Sequence, residues 1–466
     1  MKYKEIKFGT DGWRAVIGKE FTFKNVMIVA QAIADYYKRH SSRVRIAVGY
    51  DTRFLSASFA KAVSEVLATN NIKVILSDRA IPTPTLSFTV EKFSLTAGVM
   101  ITASHNPAEF NGIKIKESTG GAASEKVTGS VERLLKKNPP KINPKKLNLV
   151  EECDFVSDYI GFIRKYLRLD LLKKSKVKIL VDTMHGSGNG LIKDILKGTG
   201  IKVELARSDI NPSFEGKRPE PVVENLEDTL RIMKKKDFDI ALVLDGDADR
   251  IAAIERGGRF LHPQKILGLL ALHLKQDRFL NGGIVKTIAG STMIDHIAKE
   301  LKVRLFETPV GFKYISDLMI KREILAGGEE AGGMGVKDFV PERDGSLAGL
   351  LLVEMMVMRK KTMKQIVDEM ESSFGRYYYQ RRDLDIARTG LVVKPKHFPK
   401  KLLGKKIVEF KTYDGIKAIA SDESWLMIRA SGTEPMVRVY SESKSLKKAK
   451  DLLDVGEKII NKLIRK

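Results

Sequence analysis

Val44-Arg45-Ile46-Ala47-Val48-Gly49, followed by Tyr50-Asp51-Thr52-Arg53, is an apolar run that stops on a polar loop. A short run rich in β-branched residues, closed by turn formers, predicts a buried strand. Residues 57–69 then carry a helical pattern and residues 73–76 a second strand. The same order recurs at 176–205: strand 177–181, loop Asp182-Thr183-Met184-His185-Gly186, a helix from about residue 190, strand 202–205. It recurs again at 283–306: strand 283–285, loop Lys286-Thr287-Ile288-Ala289-Gly290, helix 292–300, strand 304–306. Each unit sets a threonine and small residues just past its first strand. Parallel strands need a long crossover, usually a helix. The reading is an α/β protein: three related α/β modules with mixed sheets and crossover helices.

The C-terminal part departs from this pattern. Strands are expected near 415–420, 425–429 and 437–441, then a closing helix with Leu446, Ala449, Leu453, Ile459 and Leu463 largely on one face. This predicts a smaller α+β domain. The proline-rich stretch 138–144 ends the first module, Arg256-Gly257-Gly258 lies near the second join, and 376–399 reads as the connection to the fourth unit. The expected partition is 1–148, 149–256, 257–372 and 373–466.

Composition narrows the function classes. A chain of 466 residues, 43% hydrophobic and 30% charged, is a soluble globular protein with material for several domains. No apolar run approaches the roughly 18 residues of a membrane span. Residues 1–6 carry no apolar signal region, so a cytoplasmic protein is expected. The one cysteine, Cys153, can form neither an internal disulfide nor a thiolate metal cage. The formal net charge of +24 raises the question of nucleic acid. The basic residues are spread along the chain, as in Lys136-Lys137, Lys173-Lys174 and Lys447-Lys448, and no nucleic-acid motif accompanies them. No specific nucleic-acid partner is expected; a diffuse positive field would attract a phosphorylated small substrate.

Four loops carry the chemistry. Ile101-Thr102-Ala103-Ser104-His105-Asn106-Pro107 stops an apolar strand. A hydroxyl at such a junction is expected to be exposed and rigidly held, as a nucleophile or phosphate carrier requires. Alone, it reads first as a turn serine bonding its own backbone. Asp245-Gly246-Asp247-Ala248-Asp249-Arg250 places three carboxylates at alternate positions behind the apolar run 239–244. Curled into a loop, they form an oxygen site suited to Mg²⁺. An EF-hand would need glycine at loop position six and glutamate at twelve, and from Asp245 those positions hold Arg250 and Arg256. An empty acidic turn would leave three like charges repelling one another.

Gly327-Gly328-Glu329-Glu330-Ala331-Gly332-Gly333 flanks two carboxylates with glycines, which let backbone approach a ligand while the carboxylates accept hydroxyl hydrogen bonds. A flexible turn is the competing reading. Arg429-Ala430-Ser431-Gly432-Thr433-Glu434-Pro435, with Arg438 three residues on, combines two arginines, two hydroxyls and the amides around Gly432. That donor set suits a dianionic phosphate.

With these loops in this order, and with Phe8-Gly9-Thr10-Asp11-Gly12-Trp13-Arg14 at the start, the chain resembles the α-D-phosphohexomutase family over nearly its whole length. The resemblance implies four domains with the active site in a central cleft. Ser104 would carry a phosphoryl group and complete a Mg²⁺ site, one per active site, with Asp245, Asp247 and Asp249. His105 and Lys114 would manage protons and charge beside it, and Arg14 and Arg250 would steady the phosphoserine region. Lys286 matches a cleft lysine, and the segment from Thr308 through Gly311 to Tyr314 resembles the loop that reads the anomeric side of the sugar. Glu329 would hold sugar hydroxyls. Ala331 stands where the family usually has serine, so one hydroxyl contact is missing. Arg429, Ser431, Gly432, Thr433 and Arg438 would hold the phosphate that is not reacting.

The implied reaction interconverts hexose 1-phosphate and hexose 6-phosphate through a phosphoserine enzyme and a hexose 1,6-bisphosphate, in a monomer or small homo-oligomer. Glu329-Glu330 followed by small residues, with Val310-Gly311-Phe312-Lys313, resembles the glucose-specific branch. Mannose phosphates, alone or beside glucose phosphates, come next and glucosamine phosphates after them. A serine-nucleophile, metal-dependent sugar phosphatase is the rival from another class. It has no use for a sugar clamp paired with a second phosphate site.

Overall fold

The apolar runs that end on polar loops form the central strands of mixed sheets. The structure, a computed structural model, describes residues 6–9, 11–386, 391–430 and 436–464. The chain forms two compact units, Met1–Gly282 with Gly311–Gln365, and Gly283–Val310 with Ile366–Lys466.

In the first unit, one six-stranded sheet runs in the spatial order Trp13–Val16, Phe110–Glu117, Ala97–Ile101, Arg45–Tyr50, Lys73–Ser77, Val150–Cys153. Arg45–Tyr50 lies parallel to both Lys73–Ser77 and Ala97–Ile101, while Phe110–Glu117 returns antiparallel with Lys114 opposite Met100. That register brings Lys114 alongside the base of the serine loop. The crossover helix Ser56–Thr69 buries Phe59, Val63, Val66 and Leu67, a one-sided apolar face at helical spacing.

The second sheet of this unit runs Phe260–Leu261, Ile251–Glu255, Ile240–Leu244, Lys178–Asp182, Lys202–Ala206. Every residue of Ile240–Leu244 is buried, because strands pair with both its edges and the helices Glu227–Lys235 and Gly345–Arg359 cover its two faces. A strand covered on both faces must be apolar throughout, which accounts for the unbroken run before Asp245. The crossover here is shorter than expected, the single helical stretch Leu191–Ile195. Ile324–Gly328 and Met334–Val336 pair antiparallel as a hairpin around the Glu329 loop.

The second unit begins with the third repeat: Gly283–Thr287 pairs parallel with Leu305–Thr308, and helix Thr292–Glu300 connects them. The three sequence repeats are therefore three parallel strand pairs. The rest of the unit is an antiparallel sheet in the order Tyr378–Asp385, Met436–Ser443, Trp425–Ala430, Ile416–Ala420, Lys405–Lys411, Lys401–Leu402. The expectation of a mere connection at 376–399 is corrected, since Tyr378–Asp385 pairs with Met436–Ser443 along its full length. Charged residues stand on both faces of this strand, Arg382 meeting Asp454 and Glu457 and Arg381 meeting Asp383. Tyr379 packs against Trp425 and Tyr440, and Leu384 against the core of the sheet. Ion pairing there interrupts the apolar alternation that marks a strand in sequence. The closing helix Leu446–Ile464 buries Ala449, Leu452, Leu453, Gly456, Ile459 and Ile460, with Leu446 left exposed. Among the described residues, no helix is long and apolar enough to cross a membrane.

Candidate active site

The strand Ala97–Ile101 is wholly buried and delivers Thr102 and Ser104 at its end. Thr102 Oγ1 accepts the Ser104 N–H at 2.8 Å, and Ser104 adopts φ +51°, a left-handed conformation rare for a residue with a Cβ. Arg53 enforces this shape. Its guanidinium donates to the carbonyls of Ser104 (2.5 Å), Asn106 (2.6 Å), Pro107 (2.8 Å) and Phe110 (3.1 Å). Asp51 balances its charge at 3.3 Å, with both side chains fully buried.

The expected exposure of Ser104 is corrected: its relative exposure is 0%. The metal loop lies over it. Ser104 Oγ donates to Asp245 Oδ2 at 2.8 Å and sits 3.4 Å from His105 Nδ1. A Cβ on Gly246 would stand 2.5 Å from the Ser104 carbonyl oxygen, so only glycine permits this approach.

Removal of Arg53 makes a first prediction. Arg53→Ala strands four carbonyls and a buried carboxylate, a loss of about 3–5 kcal/mol. Arg53→Lys is expected to restore little of it, because an ammonium lacks the planar fork. Thermal unfolding midpoints of both variants check this, and an Arg53→Ala protein with the wild-type midpoint would refute it.

The alternating aspartates do converge. Asp245, Asp247 and Asp249 each present a carboxylate oxygen within 4.8 Å of the others, and all three are buried. Their outer oxygens are taken: Asp247 Oδ2 accepts from Thr83 Oγ1 (2.6 Å) and Lys114 Nζ (2.7 Å), and Asp249 Oδ2 from Lys114 Nζ (2.9 Å) and Arg343 Nη2 (2.7 Å). Asp247 Oδ1 and Asp249 Oδ1 are buried and accept no hydrogen bond from the described residues. Three hard oxygen ligands with two orphaned lone-pair sets, beside the Ser104 hydroxyl, fit a divalent cation such as Mg²⁺.

Electrostatics divide the triad. Burial, with Asp249 and Asp247 close by, pushes Asp245 well above the usual carboxylate range. Burial also works to raise Asp247, but the charge of Lys114 and the hydrogen bonds from Lys114 and Thr83 together hold this group low. Arg250 Nε stands 3.9 Å from both Asp245 and Asp249.

A cationic frame links this cluster to the N-terminal and Glu329 loops. Arg343 bonds Asp11 Oδ2 (2.7 Å) and Glu329 Oε2 (3.2 Å) as well as Asp249, and Lys114 reaches Asp11 at 2.9 Å. Arg14 donates to Asn106 Oδ1 at 2.7 Å, which ties the N-terminal motif to the serine loop. Glu329 is buried and its pKa is raised by that burial, opposed chiefly by Arg343. Ala331 is half-buried beside it, and Gly311 precedes the helix Phe312–Lys321.

Sequence reasoning missed Arg343, Arg53 and Thr83. For Arg343 a signal existed: Glu342-Arg343-Asp344 stands directly before a helix, Gly345–Arg359, whose first three turns are wholly buried. Charges at the mouth of so apolar a helix need buried partners.

The remaining candidates lie in the second unit. Lys286 is buried and ion-paired with Asp295, and its Nζ donates to Ser291 O at 3.2 Å. Thr308 ends the strand paired with that of Lys286, and its hydroxyl donates to Pro309 O at 3.0 Å. Arg429 and Arg438 are direct cross-strand partners at one end of the antiparallel sheet. They share a face there, with Asp414 2.7 Å from Arg429 and Asp383 3.8 Å from Arg438. Ser431, Gly432 and Thr433 lie outside the described residues.

This ordered set of sites can be compared with known proteins. The chain matches the phosphoglucomutase/phosphomannomutase alpha/beta/alpha domains I (residues 5–141), II (157–258) and III (262–374), and the C-terminal domain of the same family (359–455). A phosphoglucomutase/phosphomannomutase of Thermococcus kodakarensis is 32% identical, covering 98% of this chain and 99% of the relative. The chain belongs to the α-D-phosphohexomutase family. It is a phosphohexomutase, an enzyme of the isomerase type. Among other phosphohexomutases, a Sulfurisphaera tokodaii phosphoglucosamine/phosphogalactosamine mutase is 28% identical, over 97% of this chain and 98% of the relative. A crystal structure from Thermus thermophilus, provisionally described as a phosphomannomutase, superposes with a TM-score of 0.89 at 32% identity. It covers 98% of this chain and 100% of that one. The sugar named differs from one relative to the next.

Proposed function

We propose that this phosphohexomutase interconverts glucose 1-phosphate and glucose 6-phosphate through phosphorylated Ser104 and glucose 1,6-bisphosphate. The observation that carries the reading is the Ser104 hydroxyl 2.8 Å from a buried aspartate triad with two orphaned oxygens. Asp245, Asp247, Asp249 and Ser104 would hold Mg²⁺, which when bound neutralises charge on a transferring phosphoryl group. Phosphoryl transfer otherwise needs positioning, and the chain supplies it. Arg53 fixes the serine backbone, and Arg14 holds the serine loop through Asn106. Lys114 and Arg343 keep the carboxylates in place.

In the forward cycle the bond from phosphorus to Ser104 Oγ breaks as a bond forms to the free sugar hydroxyl. His105 Nδ1, 3.4 Å from Oγ, takes the proton that this hydroxyl loses and returns a proton to the Ser104 Oγ freed by the cleavage. The bisphosphate then turns over and returns its other phosphate to Ser104. Glu329 must satisfy sugar hydroxyls in both orientations. Arg429 and Arg438, with Ser431, Gly432 and Thr433, hold whichever phosphate is idle, while Lys286, Thr308 and Gly311 contact the sugar phosphate. The glucose preference rests on Glu329-Glu330 followed by small residues, together with Val310-Gly311-Phe312-Lys313, resembling the glucose branch, from which Ala331 departs where the family usually has serine. Rates on the 1-phosphates of glucose, mannose and glucosamine with Mg²⁺ test it, and a larger kcat/KM for either of the latter two would overturn it.

The idle-phosphate site makes its own prediction. Arg429→Ala or Arg438→Ala removes a charge-assisted contact worth roughly 1.5–3 kcal/mol, or about one to two powers of ten in kcat/KM. KM carries most of the loss, with some in kcat because remote binding also aligns the reacting end. Steady-state kinetics check this. Unchanged kinetics in Arg429→Ala would take this arginine out of the site.

A further inference from the structure

One carboxylate in the second unit serves two of the proposed substrate contacts at once. Asp414 lies in the turn between the strands Lys405–Lys411 and Ile416–Ala420. Its Oδ2 accepts the Val310 N–H at 2.7 Å, and its Oδ1 accepts Nε of Arg429 at 2.7 Å. Val310 is two residues past Thr308, in the segment that resembles the sugar-reading loop. Arg429 faces Arg438 across the strand pair.

The turn is held from several sides. Gly415 adopts φ +76°, and a Cβ there would stand 2.6 Å from the Ile428 carbonyl oxygen, so the chain reverses tightly against the Arg429 strand. Just before Asp414, Lys411 Nζ and Tyr413 OH reach Glu307 Oε1 at 2.7 and 2.6 Å. Just after it, the buried Lys417 donates to the carbonyls of Ile288 (2.8 Å) and Gly290 (3.4 Å) and lies 3.9 Å over the Trp425 ring. The residues 411–417 thus grip the chain just past both parallel strands, the strands that carry Lys286 and Thr308. All these groups belong to one compact unit.

With Nε committed to Asp414, the plane of the Arg429 guanidinium is set, and a planar fork binds phosphate well only in the right plane. We propose that Asp414 is a positioning residue that orients Arg429 toward the substrate phosphate and fixes the 308–310 segment against the sugar, so that both contacts are set from one carboxylate. This rests on the reading above that Arg429 and Thr308 meet substrate.

The test is steady-state kinetics on glucose 1-phosphate, with Mg²⁺ and glucose 1,6-bisphosphate, for Asp414→Ala, Asp414→Asn, Arg429→Ala and the Asp414→Ala/Arg429→Ala pair. Asp414→Ala should raise KM by about tenfold with kcat within about threefold of wild type. Asp414→Asn, which keeps an uncharged acceptor, should fall between the two. In the Arg429→Ala background, Asp414→Ala should raise KM by less than the roughly tenfold it costs alone, because its effect through Arg429 is already gone and only that through the 308–310 segment remains. A wild-type KM in Asp414→Asn and Asp414→Ala overturns the proposal while leaving the phosphate site standing. So do effects that multiply fully in the double variant, and so does a loss confined to kcat. Wild-type kinetics in Arg429→Ala alone instead overturns the phosphate-site reading, and the Asp414 proposal with it. If Asp414→Ala does not fold, Asp414→Asn decides by the same KM criterion.

Discussion

Ser104→Ala is expected to lose mutase turnover by on the order of 10⁴-fold or more, because the phosphoryl passes between the two ends of the sugar through this hydroxyl. Ser104 is buried, so its removal has a structural cost that must be separated from the chemical one. That cost is limited. The variant loses one hydrogen bond to the buried Asp245, about 1.5–3 kcal/mol, and the four Arg53 contacts to the loop backbone remain. The unfolding midpoint should therefore fall only modestly below that of the wild type. Intact-mass measurement should show the wild type partly shifted by one phosphate and the variant unshifted. More than trace mutase activity in the variant would remove Ser104 from the phosphocarrier role.

Asp247→Ala should be the next most damaging change. It deletes one of the two orphaned oxygens and also the acceptor shared by Thr83 and Lys114. Loss of cation affinity and of charge neutralisation at the transferring group should together lower turnover by about 10²–10³-fold or more. Lys114 keeps Asp249 and Asp11 as partners, so its charge is not stranded and the protein should still fold. Asp247→Asn preserves the shape but weakens the cation site, and raising Mg²⁺ should recover part of its activity. Titrating activity against Mg²⁺ for the three proteins checks both statements. Full wild-type activity in excess EDTA would return the triad to a purely structural role.

Local patterns were readable from the sequence where the physics is local. A strand buried on both faces has to be apolar throughout, so Arg45–Tyr50, Lys178–Asp182 and Ile240–Leu244 stood out, each to within a residue or two. Three aspartates at alternate positions after such a strand point to a cation loop, and these three converge. What could not be read depends on partners far along the chain. Ser104 is buried by a loop 141 residues away, and Arg343 meets Asp249 across 94 residues. Arg53 looked like one charge in a polar turn, and its role exists only once the serine loop folds onto it. Tyr378–Asp385 gives no clear strand signal because charged residues that pair on both faces interrupt the few apolar positions, Tyr379 and Leu384, that pack. The closing helix was placed correctly, but its buried face turned so that Leu446 is exposed, a detail set by the sheet beneath it.

The phosphoserine route is tested most directly by following glucose 1-phosphate by phosphorus NMR in the presence of Mg²⁺, a trace of glucose 1,6-bisphosphate and the protein. The protein is then digested to locate any phosphate on the chain. The account predicts conversion to glucose 6-phosphate without net release of inorganic phosphate, and phosphate on the peptide containing Ser104. Steady release of inorganic phosphate with no 6-phosphate formed, or isomerisation by a protein whose Ser104 peptide never carries phosphate, would contradict it.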